Sequence, residues 1–121
     1  MKMDLNLIRQ MLLAMEAHPA GQPIYSFKFD GKENAEILEH VQLLHDAGFI
    51  EATIVDGNMG EPVECMIRRM TFAGQQFLAN AKNDTIWKKV LTQAEEKGIS
   101  SSMVVINGLL VAAAKKYANL D

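Results

Sequence analysis

The sequence predicts a small α+β domain in the order helix, strand, helix, two-stranded hairpin, helix, with two further helices behind it. Apolar residues recur at helical spacing in five separate stretches. Two strand-like runs flank a turn-rich heptapeptide, Asp56-Gly57-Asn58-Met59-Gly60-Glu61-Pro62. The composition, 49% hydrophobic and 22% charged, is that of a globular chain and not a disordered one. At 121 residues the chain fits one domain with a helical extension, and a chain of this size buries roughly two-thirds of its unfolded surface.

Taken in order, Asp4 stands where it can cap a first helix whose Leu5, Ile8, Leu12 and Met15 share a face. His18-Pro19, Gly21 and Pro23 end it, since proline cannot continue the hydrogen-bond ladder. Tyr25, Phe27 and Phe29 then alternate with Ser26 and Lys28, the period of a half-buried strand, and Asp30-Gly31 closes the run. A second helix is expected from Glu33 to Ala47, with Ile37, Val41 and Leu44 as its buried stripe, Leu38 beside them and Gly48 as its left-handed stop. Phe49–Val55 and Val63–Met70 are the hairpin strands, and with Tyr25–Phe29 they are expected to form one three-stranded sheet. Thr71 can cap a third helix, Phe72 to Lys82, with Phe77, Leu78 and Ala81 facing inward. Asn83-Asp84 start a fourth helix carrying Ile86, Trp87, Val90, Leu91 and Ala94 and stopped at Gly98, and Ser100-Ser101-Ser102 can cap a last helix running to about Tyr117. The expected organisation is a core over residues 1–82 and a helical extension over 83–121 that packs on the core or forms a dimer interface.

Helix, strand, helix, hairpin is the element order of a winged helix apart from one missing helix. Leu43-Leu44-His45-Asp46-Ala47-Gly48-Phe49-Ile50-Glu51-Ala52 resembles the end of a winged-helix recognition helix running into the wing, and Met70-Thr71-Phe72-Ala73-Gly74-Gln75-Gln76-Phe77-Leu78 resembles the segment after many wings. With the continuation Asn83-Asp84-Thr85-Ile86-Trp87-Lys88-Lys89-Val90, the chain resembles an uncharacterised family of bacterial and prophage proteins, domain of unknown function 2513, over nearly its whole length. The resemblance implies a winged-helix-like core and association with mobile elements; it implies no activity.

Charge bears on what such a core would do. Residues 1–60 hold nine acidic against four basic residues, residues 61–121 six against eight, and the net charge is −3. Proteins that bind nucleic acid usually carry a basic footprint, because affinity comes from releasing the counterions of phosphates. The helix in the recognition position carries Glu33, Glu36, Glu39 and Asp46 and neither Lys nor Arg. The helix that would brace it falls where residues 22–30 alternate like a strand. The candidate nucleic-acid contacts are Lys32, Arg68, Arg69 and Lys88. Adjacent strand residues point to opposite faces, so only one of Arg68 and Arg69 is expected to be fully exposed.

No catalytic constellation stands out, and no enzyme, cofactor, metal or small-molecule substrate is expected. His40 and His45 are five apart and so face different ways, while Glu36 and His40 are expected to form a solvated pair. Cys65 shares an expected strand face with Val63 and Ile67, as a buried small hydrophobe. It is the single cysteine, so no internal disulfide can form. The Asp56–Gly60 loop lacks the Lys-Ser/Thr that a phosphate loop needs.

The last helix is the most apolar. Met103, Ile106, Leu110, Ala113 and Tyr117 suffice to dock it, which leaves Val104, Val105, Leu109, Val111 and Ala112 as a candidate dimer interface. A homo-oligomer or another protein partner is therefore expected through this helix. With no signal peptide or membrane span in view, the expected location is the cytoplasm. Two roles remain: a DNA-associated regulatory protein of bacterial or prophage origin, or a non-catalytic protein-protein interaction module that has lost the DNA-binding face.

Overall fold

The computed structural model describes residues 2–98 and 103–117, without the Tyr117 side chain. The elements are α1 (Leu5–Ala17), α2 (Asn34–Asp46), β1 (Ile50–Asp56), β2 (Pro62–Met70), α3 (Phe72–Ala81), α4 (Asp84–Glu96) and α5 (Met103–Tyr117). They cluster into two compact units, Met1–Gln75 and Gln76–Asp121, with the divide inside α3. The expected Ser100–Ser102 cap lies outside the described residues, as does the expected docking of the Tyr117 side chain.

In the first unit, Asp4 caps α1 as its position suggests, its Oδ1 accepting the Leu7 amide at 3.1 Å. Leu7, Ile8, Met11 and Leu12 of α1 and Ile37, Val41 and Leu44 of α2 are buried. α2 stops at Gly48, which holds the left-handed φ of 76°. The amide of Phe49 then donates to the Leu44 carbonyl at 3.0 Å, turning the chain into β1.

The antiparallel β1–β2 hairpin departs from strict alternation twice, at register shifts between Glu51 and Ala52 and between Val55 and Asp56. Glu51 faces Arg69 while Ala52 faces Ile67, so Arg68 is the extra residue of a bulge; Val55 faces Glu64 while Asp56 faces Pro62, so Val63 is another. This corrects two expectations. Cys65 and Ile67 are buried together, but the bulge turns Val63 out to solvent. Arg68 and Arg69 are both exposed, because the inserted residue breaks the two-residue period between them.

The expected third strand, Tyr25–Phe29, does not form. Only Ile24 pairs, in one antiparallel bridge to Ile67 with bonds of 2.9 and 2.8 Å, and the sheet has two strands. On one side of the bridge, Pro23 has no amide to offer and Arg68 is bulged; on the other, the Tyr25 carbonyl takes the Cys65 thiol, Sγ to O 3.6 Å. Phe27 and Phe29 stack on each other at 5.6 Å instead of alternating across a sheet. The segment is not helical either.

Thr71 caps α3, its Oγ1 accepting the Gly74 amide at 3.2 Å. Gly74 is buried close against the Phe49 carbonyl, where a Cβ would overlap the carbonyl oxygen and come within 2.7 Å of Met70 Cγ. In the second unit, Asn83 caps α4 through the Ile86 amide at 3.0 Å. Trp87 meets Phe77 edge-on at 6.3 Å, and Val90, Ala94, Ile106 and Leu110 are buried. Among the described residues, no helix is long and apolar enough to cross a membrane.

Candidate interaction surfaces

α2 and the hairpin tip carry the same sign of charge. On α2, Asp46 is exposed and Glu36 and Glu39 are half-buried, with Glu33 exposed just before the helix. At the tip, Asp56, Glu61 and Glu64 are exposed, and no Lys or Arg occurs from Ala52 to Ile67. Apolar side chains stand among these acids: Met59 is 92% exposed, and Val55 and Val63 flank it. Glu61 folds back on its own loop, Oε2 accepting the Met59 amide at 2.9 Å, which fixes the tip's shape.

Lys32, a candidate phosphate contact, is already engaged. Its Nζ donates to Asp4 Oδ2 at 2.7 Å and stands 4.0 Å from Glu36. Burial, the largest influence on Asp4, pushes its carboxyl upward. The Lys32 hydrogen bond, the Leu7 amide and the charge of Lys32 together outweigh it, holding the group below the ordinary value of 3.8. The Lys32 ammonium is raised in turn, chiefly by its hydrogen bond to Asp4.

His40 overturns the expected solvated pair. It is fully buried, its Nε2 accepting the Asp4 amide at 2.8 Å and its Nδ1 lying 2.8 Å from the Glu36 carbonyl of its own helix. Because Nε2 accepts, the ring proton belongs on Nδ1, which donates to that carbonyl. His40 therefore ties the start of α1 to α2. Sequence reasoning missed this link, since its partners lie 36 residues apart along the chain.

Of the other candidate contacts, Arg69 grips Glu51 through Nε and Nη2, each at 3.0 Å, and Arg68 donates to Thr53 Oγ1 at 2.9 Å. Lys88 belongs to the second unit, where with Lys89 and Lys116 it borders a groove of about 980 Å³ between α4 and α5. The groove also takes in Leu109 and Ala112 from the expected dimer interface. Of the other three, Val104 is 84% exposed, while Val105 and Val111 are half-buried. Burial raises the Cys65 thiol, which disfavours the reactive thiolate. Among the described residues, no three His, Cys, Asp or Glu side chains are grouped to hold a metal ion.

Residues 2–100 match the family described as "Hypothetical protein (DUF2513)". The chain is also similar to an uncharacterized protein of Haemophilus influenzae, 29% identical over 107 residues, which cover 88% of this chain and 89% of that protein. No solved structure matches the chain.

Proposed function

The chain belongs to the DUF2513 family, and on that premise we propose that it is a non-catalytic protein-protein interaction module of the bacterial cytoplasm, built on a winged-helix-like frame. The order α1, bridge at Ile24, α2, hairpin, α3 supports the frame, with the extended segment after Pro23 in place of the bracing helix. The observation that carries the role is the acid on both elements that a winged helix turns toward DNA. α2 and the hairpin tip together expose Asp46, Asp56, Glu61 and Glu64, and Lys32, just ahead of α2, is neutralised by Asp4. Phosphate oxygens would meet repulsion there. A protein segment with Lys or Arg beside apolar side chains fits the same surface, pairing with the acids and covering Val55, Met59 and Val63.

A DNA-associated regulatory role is the second reading. It is favoured by the bulge that exposes Arg68 and Arg69 side by side, though each arginine already has a protein partner. Titration of labelled duplex at two salt concentrations separates the two. The interaction module predicts affinity weaker than about 10⁻⁴ M at physiological salt, below ordinary non-specific binding. Tighter binding that weakens on replacing Arg68 and Arg69 with alanine would overturn it.

A further inference from the structure

We propose that the groove between α4 and α5 is a self-complementary docking face for a second copy of this chain. Val90 is buried in it, Ile86, Leu109 and Ala113 are half-buried, and Ala112 is exposed along its α5 side. Val105, Leu109, Ala112 and Lys116 follow one another along α5 on a single stripe beside the buried Ile106 and Leu110. Val104 and Val111 fall on the opposite flank and take no part.

Charge decides what covers the groove. Along α4, the exposed residues Lys88, Lys89, Gln93 and Glu96 border it in turn. Two cations thus mark one end and an anion the other, about 10 Å apart at 1.5 Å of rise per residue. The link between the helices, residues 97–102, is short, and short links join antiparallel neighbours. Lys116, near the end of α5, therefore sits at the Lys89 end. A partner of one charge throughout would meet like charge at one end or the other. A second copy related by a two-fold axis across the middle of the groove does not: its Glu96 end meets the Lys89–Lys116 end of the first, and the reverse. Such a contact closes on itself at two copies. Ala112 and Ala113 keep the centre shallow enough for helices to approach.

Sedimentation of the full chain tests this directly, and is expected to give a dimer. Lys88→Glu, Lys89→Glu and Lys116→Glu together reverse one end, and Glu96→Lys reverses the other. Each change brings like charges together twice by symmetry, and each is expected to weaken association roughly tenfold or more. The variant combining all four changes exchanges the two ends and is expected to regain the wild-type affinity. Ala112→Glu, at the middle of the face, is expected to give a monomer. All five positions are exposed, so circular dichroism should be unchanged in every variant. A wild-type chain that stays monomeric at the highest attainable concentration overturns the proposal. So does a dimer indifferent to the reversals, or a combined variant that fails to recover.

Discussion

Gly74→Ala and Gly108→Ala are the same substitution in two helices, and the structure gives them opposite signs. Alanine in place of a helical glycine normally stabilises by up to about 1 kcal/mol, because glycine loses more backbone freedom on folding. At Gly108 nothing lies within 4 Å of the added methyl, so the full gain is expected there. At Gly74 the methyl would overlap the Phe49 carbonyl oxygen and stand 2.7 Å from Met70 Cγ. Met70 can shift; the carbonyl cannot without moving the backbone that turns α2 into β1. Overpacking of this kind costs about 1–3 kcal/mol, which outweighs the entropic gain. The two variants should therefore differ by roughly 1–4 kcal/mol, or about 0.5–2 M in urea midpoint at an m-value near 2 kcal/mol/M. Urea titration followed by far-UV circular dichroism measures this. A Gly74→Ala protein at least as stable as the wild type would refute the claim that α3 needs the missing side chain.

Asp4→Asn keeps an acceptor for the Leu7 amide but removes the charge that pairs with Lys32. A carboxyl lowered on folding stabilises above its unfolded value of 3.8, and that contribution is lost as pH falls through the folded value. The wild type should exceed this variant by about 0.5–1 kcal/mol at neutral pH, with the gap closing below the unfolded value; a gap that persists in strong acid would count against the pairing. Joint replacement of Asp46, Asp56 and Glu64 with lysine should create duplex binding that falls steeply with salt, at about 0.9 log units per phosphate neutralised. If no binding emerges, these residues do not form one surface. Trp87→Ala should cost about 3–5 kcal/mol, since the ring is buried against Phe77; urea titration showing under 1 kcal/mol would mean that the α3–α4 contact is not a core.

The helices were legible because their evidence is local. The Ile37–Val41–Leu44 stripe, the caps at Asp4, Thr71 and Asn83 and the stop at Gly48 each need only a few neighbouring residues to act. The segment at Tyr25–Phe29 misled for the complementary reason. Alternation states that a stretch could serve as a strand but says nothing about whether an unbroken edge awaits it, and here the edge that Tyr25–Phe29 would face gives its Cys65 thiol to the Tyr25 carbonyl and is bulged at Val63. Both hairpin bulges escaped because register belongs to two strands at once. His40 and Lys32 take their meaning from Asp4, far away in the sequence. Lys89 and Glu96 were visible all along at seven-residue spacing, but they became two ends of one groove only when α5 lay alongside α4.

β2 buries Ile67 and then Met70, three positions apart, which a strand of period two cannot do without one irregular residue between them. Arg68 supplies that residue, and so acts as a spacer that switches the strand from one parity to the other. Deleting it would leave the chemistry of the hairpin almost unchanged while moving Met70 to the opposite face, away from Gly74 and the turn where α3 begins. Substitution at this position should be mild and removal severe. Length is usually most negotiable at a hairpin's tip and least in its strands, and in this hairpin the most length-critical point is a solvent-facing arginine.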